Sequence, residues 1–230
     1  MEATGTASRL ERHSRRARLF HTAVYLATLV LLLTGWWLLL GKEGSPSPLA
    51  RAFGVPDPRL HVWFGRALAV LALAPVALGR RGIATFVRET IRRDRGDALW
   101  WWRWPVGAVT GRFGRHEGHF DPGQRVANMM IVGSLGVLTA TGIGLTILHG
   151  GRVFASLAKI HEWATFVLTP LLAGHVLIAL GLLPGYRGVW RSMHLGGRVS
   201  EATAKRVWPG WTQRTLADNA ASKPPIDSTR

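Results

Sequence analysis

Apolar positions in this chain do not alternate with polar ones. They gather into four long runs, at 19–40, 62–78, 126–148 and 160–183. Uninterrupted runs of this kind predict helices that cross a membrane. The hydrocarbon layer needs roughly 20 apolar residues per crossing, and only a helix or closed barrel satisfies its own backbone there. The second run, at 17 residues, lies at the lower limit. The first is too long for a signal-peptide core, lacks a small-residue cleavage site and is followed by further spans. The runs are too continuous for a coiled coil, and no internal repeat is visible. The expected fold is an all-α integral membrane protein whose bundle of four transmembrane helices occupies residues 19–183.

Polar segments orient the bundle. Residues 1–18 read as a mobile basic arm, 79–125 as the longest cytoplasmic loop and 184–230 as a cytoplasmic tail. The net charge of +16 would suggest nucleic acid in a soluble protein, but its distribution argues otherwise. Arg9, Arg12, Arg15, Arg16 and Arg18 precede the first run. Nine arginines, from Arg80 to Arg115, separate the second and third, and Arg187, Arg191, Arg198, Lys205 and Arg206 follow the fourth. The two remaining loops hold only Lys42, Arg51 and Arg59, and Arg152 and Lys159. This bias predicts both termini in the cytoplasm.

Within the long loop, Trp100, Trp101, Trp102 and Trp104 read either as an interfacial anchor or as the lining of a quinone access path. Ser200 is a candidate cap for a short helix ending before Pro209, and the last dozen residues read as disordered. The chain has no cysteine, which excludes disulfides, iron–sulfur ligation within this chain and covalent c-type haem.

Ionisable side chains inside membrane helices are costly and usually functional. His161 and His175 share the fourth run, fourteen residues apart. That is close to four helical turns, so both point to one side, roughly 21 Å apart along the axis. Given the orientation, His21 and His175 fall at one depth near the cytoplasm, and His61 and His161 at another near the outside. Each pair joins two helices, as a bis-histidine haem requires. Gly65, Gly133, Gly136, Gly142, Gly144 and Gly174 give either a macrocycle or a neighbouring helix room to approach. Arg66 either pairs with a propionate of the outer haem or snorkels to the surface. His149 competes as an outer ligand, and His116 with His119 gives a weak metal signal.

Several segments carry a resemblance: "RLFHTAVYL", "RLHVWFGRALA", "KIHEWATFVLTPLLAGH", the turn "FDPGQRVANMM" and the tail "GGRVSEATAKRVWPGW". Together they resemble the membrane cytochrome b (gamma) subunit of respiratory formate dehydrogenases over most of residues 10–211. The resemblance implies two b-type haems, the outer one ligated by His61 and His161 and the inner one by His21 and His175. It implies a quinone site, for menaquinone or ubiquinone, at Gly123 and Gln124. Asp121 stands where the family has Asn, so it either handles a quinone proton or simply caps the third span. Pro170, between the two histidines of the fourth run, is a further departure and is expected to kink the helix or free a backbone carbonyl. The implied partners are an iron–sulfur beta subunit and a molybdenum or tungsten catalytic alpha subunit, in a complex open to higher oligomers; nucleic acid is not expected. Other readings are a di-haem cytochrome b of a hydrogenase or sulfur-compound reductase, a stand-alone di-haem oxidoreductase, and a haem-free anchor or transporter.

Overall fold

The computed structural model describes residues 8–41, 45–78 and 80–222. In chain order the elements are strand β1 (Arg9–Glu11), then helices α1 (Arg15–Leu39), α2 (Pro48–Phe53), α3 (Asp57–Leu78), α4 (Arg80–Ile91), α5 (Asp97–Thr110), α6 (Pro122–Ile147) and α7 (Gly151–Ala179). A 3-10 turn (Pro184–Tyr186), α8 (Trp190–His194), strand β2 (Arg198–Ser200), α9 (Glu201–Val207) and α10 (Pro209–Ala221) follow. Helices α1, α6 and α7 are long and apolar enough to cross a membrane. Their flanks carry large exposed apolar side chains such as Leu29, Leu33, Val132 and Val176, as lipid-facing surfaces require. Helix α7 continues through Pro170.

The chain divides into two compact units. A membrane unit comprises Arg16–Val87 and Asn128–Gly174; a terminal unit collects Met1–Arg15, Arg88–Ala127 and His175–Arg230. In the membrane unit, Trp36 of α1 donates its indole N–H to Thr169 of α7 at 3.0 Å and meets Phe166 edge-on. Buried Ser47 caps α2 and is bound through its amide and hydroxyl to Asp57, in the first turn of α3.

The terminal unit holds the largest departures from the sequence expectation. Residues 9–11, expected in a mobile arm, pair antiparallel with β2, Leu10 opposite Val199. Both side chains are buried, in a core with Tyr186, Val207, Trp208 and Trp211. The loop 79–125 contains α4, which up to Val87 belongs to the membrane unit, and α5. Ile83, Phe86, Val87 and Ile91 of α4 recur at helical spacing, and α5 starts with Asp97 and ends on Gly111 at φ 77°. Helix α5 also divides the tryptophans. Trp100 and Trp104, one turn apart, face inward, Trp100 against Phe113 and Trp104 onto the Tyr186 hydroxyl, whereas Trp102 is 84% exposed. Ser200 caps α9 as expected. Helix α10 reaches into the stretch expected to be disordered, of which residues 223–230 lie outside the described residues.

Two buried guanidinium groups hold this unit together. Arg125, in the first turns of α6, donates to the Phe120 and Arg92 carbonyls and to both Asp94 and Asp97, at 2.7–3.2 Å. Hydrogen bonds from Arg92 and Arg125 outweigh the burial that would raise the Asp94 carboxyl and hold it below its ordinary value. Replacing Arg125 by Met strands this acidic pair. The expected loss is about 3–5 kcal/mol of stability, read as a clear fall in melting temperature in detergent; an unchanged melting temperature would show that the network is dispensable.

Candidate functional site

Four helices of the membrane unit converge on one cavity of about 420 Å³, within the roughly 300–1,000 Å³ typical of small-molecule sites. Its walls are mostly apolar and include His61 from α3 and His161 from α7. Gly35, Gly65, Gly142 and Arg66 also line it. The two imidazoles face each other with ring centres 6.1 Å apart and planes at 73°.

Each imidazole is held from behind by a different helix. His61 Nδ1 lies 2.9 Å from the Thr34 hydroxyl of α1, and His161 Nδ1 lies 2.8 Å from the Thr141 hydroxyl of α6. Each threonine donates its single proton back along its own helix, to Val30 O at 2.8 Å and Val137 O at 2.7 Å. A hydroxyl has one proton. With the proton on the carbonyl each oxygen accepts, and the imidazole carries its hydrogen on Nδ1, where the Leu31 and Leu138 carbonyls accept as well. Nε2 is then left as a bare lone pair, the form in which histidine ligates a metal.

The site fits a haem on three counts. Histidine nitrogens sit roughly 2 Å from a bound metal, and a ring centre lies about 1 Å behind its nitrogen, so two imidazoles sharing one iron stand roughly 6 Å apart. The observed separation matches. The lining is apolar, as a porphyrin face requires. The glycines leave room: a Cβ at Gly35 would come within 3.2 Å of His61 Cε1, and one at Gly142 within 3.4 Å of His161 Cε1. Gly144 instead packs against Leu157, and a Cβ at Gly133 or Gly136 meets no described atom within 4 Å.

The other candidate residues are placed as follows. His21 is near the start of α1, its ring 5.7 Å from Tyr25, and belongs to the membrane unit. His175 is on α7 and belongs to the terminal unit. His149 is exposed beyond the end of α6 and does not line the cavity. Among the described residues no three His, Asp or Glu side chains gather to hold a bare metal ion. His116 and His119 are otherwise engaged. His116 Nε2 meets the Val207 carbonyl at 2.9 Å, and His119 takes two contacts from Arg12.

The turn before α6 is in the terminal unit. Asp121 is buried, and its Oδ1 accepts the Gln124 amide at 2.8 Å, so it caps α6. A Cβ at Gly123 would strike the Trp100 ring at 2.7 Å, and Gln124 accepts the Trp208 indole N–H at 3.3 Å. Burial raises the Asp121 carboxyl against the opposing pull of the Gln124 amide, His116, Arg12 and Arg125. Nearby, Arg12 lies between Trp208 and Trp211, 4.4 and 4.5 Å from their ring centres. Burial lowers its guanidinium to about 9, which leaves it cationic at pH 7.

The residues that sequence reasoning missed here are Thr34 and Thr141. A signal was available: a Thr-Gly pair, Thr34–Gly35 and Thr141–Gly142, recurs in the first and third apolar runs.

Burial, then the charges of Arg12, His13 and Arg214, lower the His119 imidazole from 6.5 to about 3. The unfolded chain binds this proton first, so stability is full above about pH 6.5 and falls as pH drops toward about 3. His119→Gln keeps a neutral partner for Arg12 without the proton site. Melting temperature should therefore drop less between pH 7 and pH 4.5 in the variant than in the wild type; equal drops would contradict the assignment.

A comparison with curated proteins returns no match. The family model for prokaryotic cytochrome b561, by contrast, matches residues 12–196, about four-fifths of the chain and all the histidines discussed above. The chain therefore belongs to the prokaryotic cytochrome b561 family, membrane proteins that carry electrons on b-type haem.

Proposed function

We propose that this protein carries electrons across a bacterial inner membrane, from an iron–sulfur partner outside to a quinone on the cytoplasmic side. The observation that carries the reading is the facing pair His61 and His161, each with Nδ1 occupied, across an apolar cavity. In this reading His61 and His161 hold the outer haem iron, and His21 and His175 the inner one. Bound haem supplies a one-electron centre whose potential follows its ligands, burial and nearby charge. The inner pair rests on spacing along each helix. His175 lies fourteen residues beyond His161 on the continuous helix α7, while His21 lies near the other end of α1 from Thr34. Arg66 lines the cavity with both outer histidines, which supports pairing with a haem propionate.

The topology has independent support. Strands β1 and β2 pair, so residues 9–11 and 198–200 share one side of the membrane. The number of crossings between them is then even. Helices α1, α6 and α7 are three candidates, and the length of α3, 22 residues and roughly 33 Å, supports it as the fourth. The arginine bias supports both ends in the cytoplasm.

For quinone reduction, the turn of Asp121, Gly123 and Gln124 is the proposed site. Asp121 is a buried carboxyl held above its ordinary value, suited to holding and passing a proton. Gly123 and Gln124 stand beside the indoles of Trp100 and Trp208. The segments quoted in the sequence analysis favour a formate-oxidising complex with a molybdenum or tungsten subunit; formate chemistry has no residues in this chain.

A reduced-minus-oxidised visible spectrum with haemochrome quantification tests the haem assignment on wild type, His161→Ala and His175→Ala. Two b-type haems per chain are expected, with each variant losing a different one. Folded protein free of haem would refute the electron-transfer reading. Formate-driven quinone reduction by the native complex tests the partner; reduction by hydrogen but not formate reassigns it to a hydrogenase.

A further inference from the structure

Building on the haem reading above, we propose that Thr34 and Thr141 are positioning residues that fix the tautomer and ring plane of His61 and His161 and thereby set the potential of the outer haem. The two sites repeat one device on two helix pairs. On α1, Thr34 bonds His61 Nδ1 while the adjacent Gly35 lies under Cε1 of the same ring. On α6, Thr141 and Gly142 do the same to His161. Each imidazole is therefore restrained at two adjacent ring atoms, which opposes rotation about its Cβ–Cγ bond. Thr34 is fully buried and Thr141 is 6% exposed, and the Leu31 and Leu138 carbonyls share the two Nδ1 groups with them.

Helix threonines commonly bond back to a carbonyl one turn earlier. Thr165 and Thr169 of α7 do so too, to His161 O and Thr165 O. That habit explains where the threonine proton goes. It does not explain why such a hydroxyl meets Nδ1 of both facing histidines. The chemical consequence is specific. With the threonine proton committed, the imidazole can only donate, so its Nε2 is held ready for iron. A neutral hydroxyl accepts more weakly than a carboxylate, so the ligand stays a neutral imidazole, made modestly more basic. Greater ligand basicity favours ferric iron. Removing the hydroxyl should therefore raise the outer haem's midpoint potential. The ring planes, now crossed at 73°, should relax as well.

Thr34→Val and Thr141→Val keep the side-chain shape and remove the oxygen; Thr34→Ser and Thr141→Ser keep the oxygen and remove the methyl. The four variants and the wild type are compared by haemochrome content, redox titration and low-spin EPR. Crossed axial planes give a strongly anisotropic low-spin signal, and a change of plane alters it. The Val variants are expected to show an upward shift of the outer midpoint and an altered EPR signal, or about 10–100-fold weaker retention of that haem. The Ser variants should resemble the wild type, and the His175-linked signals should stay in place throughout. Val variants that match the wild type in all three readouts overturn the proposal, as do Val and Ser variants that fail alike, because the methyl then matters. Wild-type protein without haem overturns the functional reading together with this one, whereas wild-type haem with unmoved Val variants overturns this one alone.

Discussion

An imidazole among apolar helices has two nitrogens to satisfy and no water to help. That constraint organises the membrane unit. Thr34 and Thr141 take one nitrogen of each facing histidine, and a buried polar atom left without a partner costs on the order of 1–3 kcal/mol. The two rings meet across a mostly apolar cavity, a poor arrangement for two neutral imidazoles and a good one for a shared metal. Four helices must meet to build it. α3 and α7 bring the histidines, and α1 and α6 bring the threonines and the glycines that let the rings sit close. The Trp36–Thr169 hydrogen bond then ties α1 to α7.

The terminal unit solves a related problem for cations. Arg12 and Arg125 are both buried, and an isolated buried charge is expensive. Arg125 is matched by two aspartates and two carbonyls; Arg12 is matched by two indole faces and His119. Both arrangements converge on the segment 118–125. Gly118 and His119 donate their amides to Asp94 and Glu89, and Asp121 caps α6. The proposed quinone turn is thus held by charges and aromatic faces rather than by its own short sequence.

Much of the membrane part was legible in the sequence, because an apolar run in lipid has one stable conformation. Helices α1, α6 and α7 appear where the runs predicted, with ends shifted by a few residues, and by nine at the start of α7, where Gly151 rather than Ile160 begins the helix. The histidines and Arg66 were visible as costly residues in apolar surroundings. Thr34 and Thr141 were not singled out, because a threonine in a membrane helix satisfies itself and betrays no partner. Only the relative rotation of two helices shows what else its oxygen meets. β1 was missed for a different reason. Three residues carry almost no periodic signal, and their partner is nearly the whole chain away. The tryptophan run showed aromatic clustering but not its division by a helical face into inward Trp100 and Trp104 and outward Trp102.

The central claim is that His61 and His161 share one iron through Nε2 while Thr34 and Thr141 hold Nδ1. A high-resolution structure of the purified protein in lipid nanodiscs tests it most directly. A porphyrin is expected in the cavity lined by Gly35, Gly65 and Gly142, with iron between the two imidazoles and both threonine contacts kept. A haem ligated by only one of these histidines, or by His149 in place of either, would contradict it.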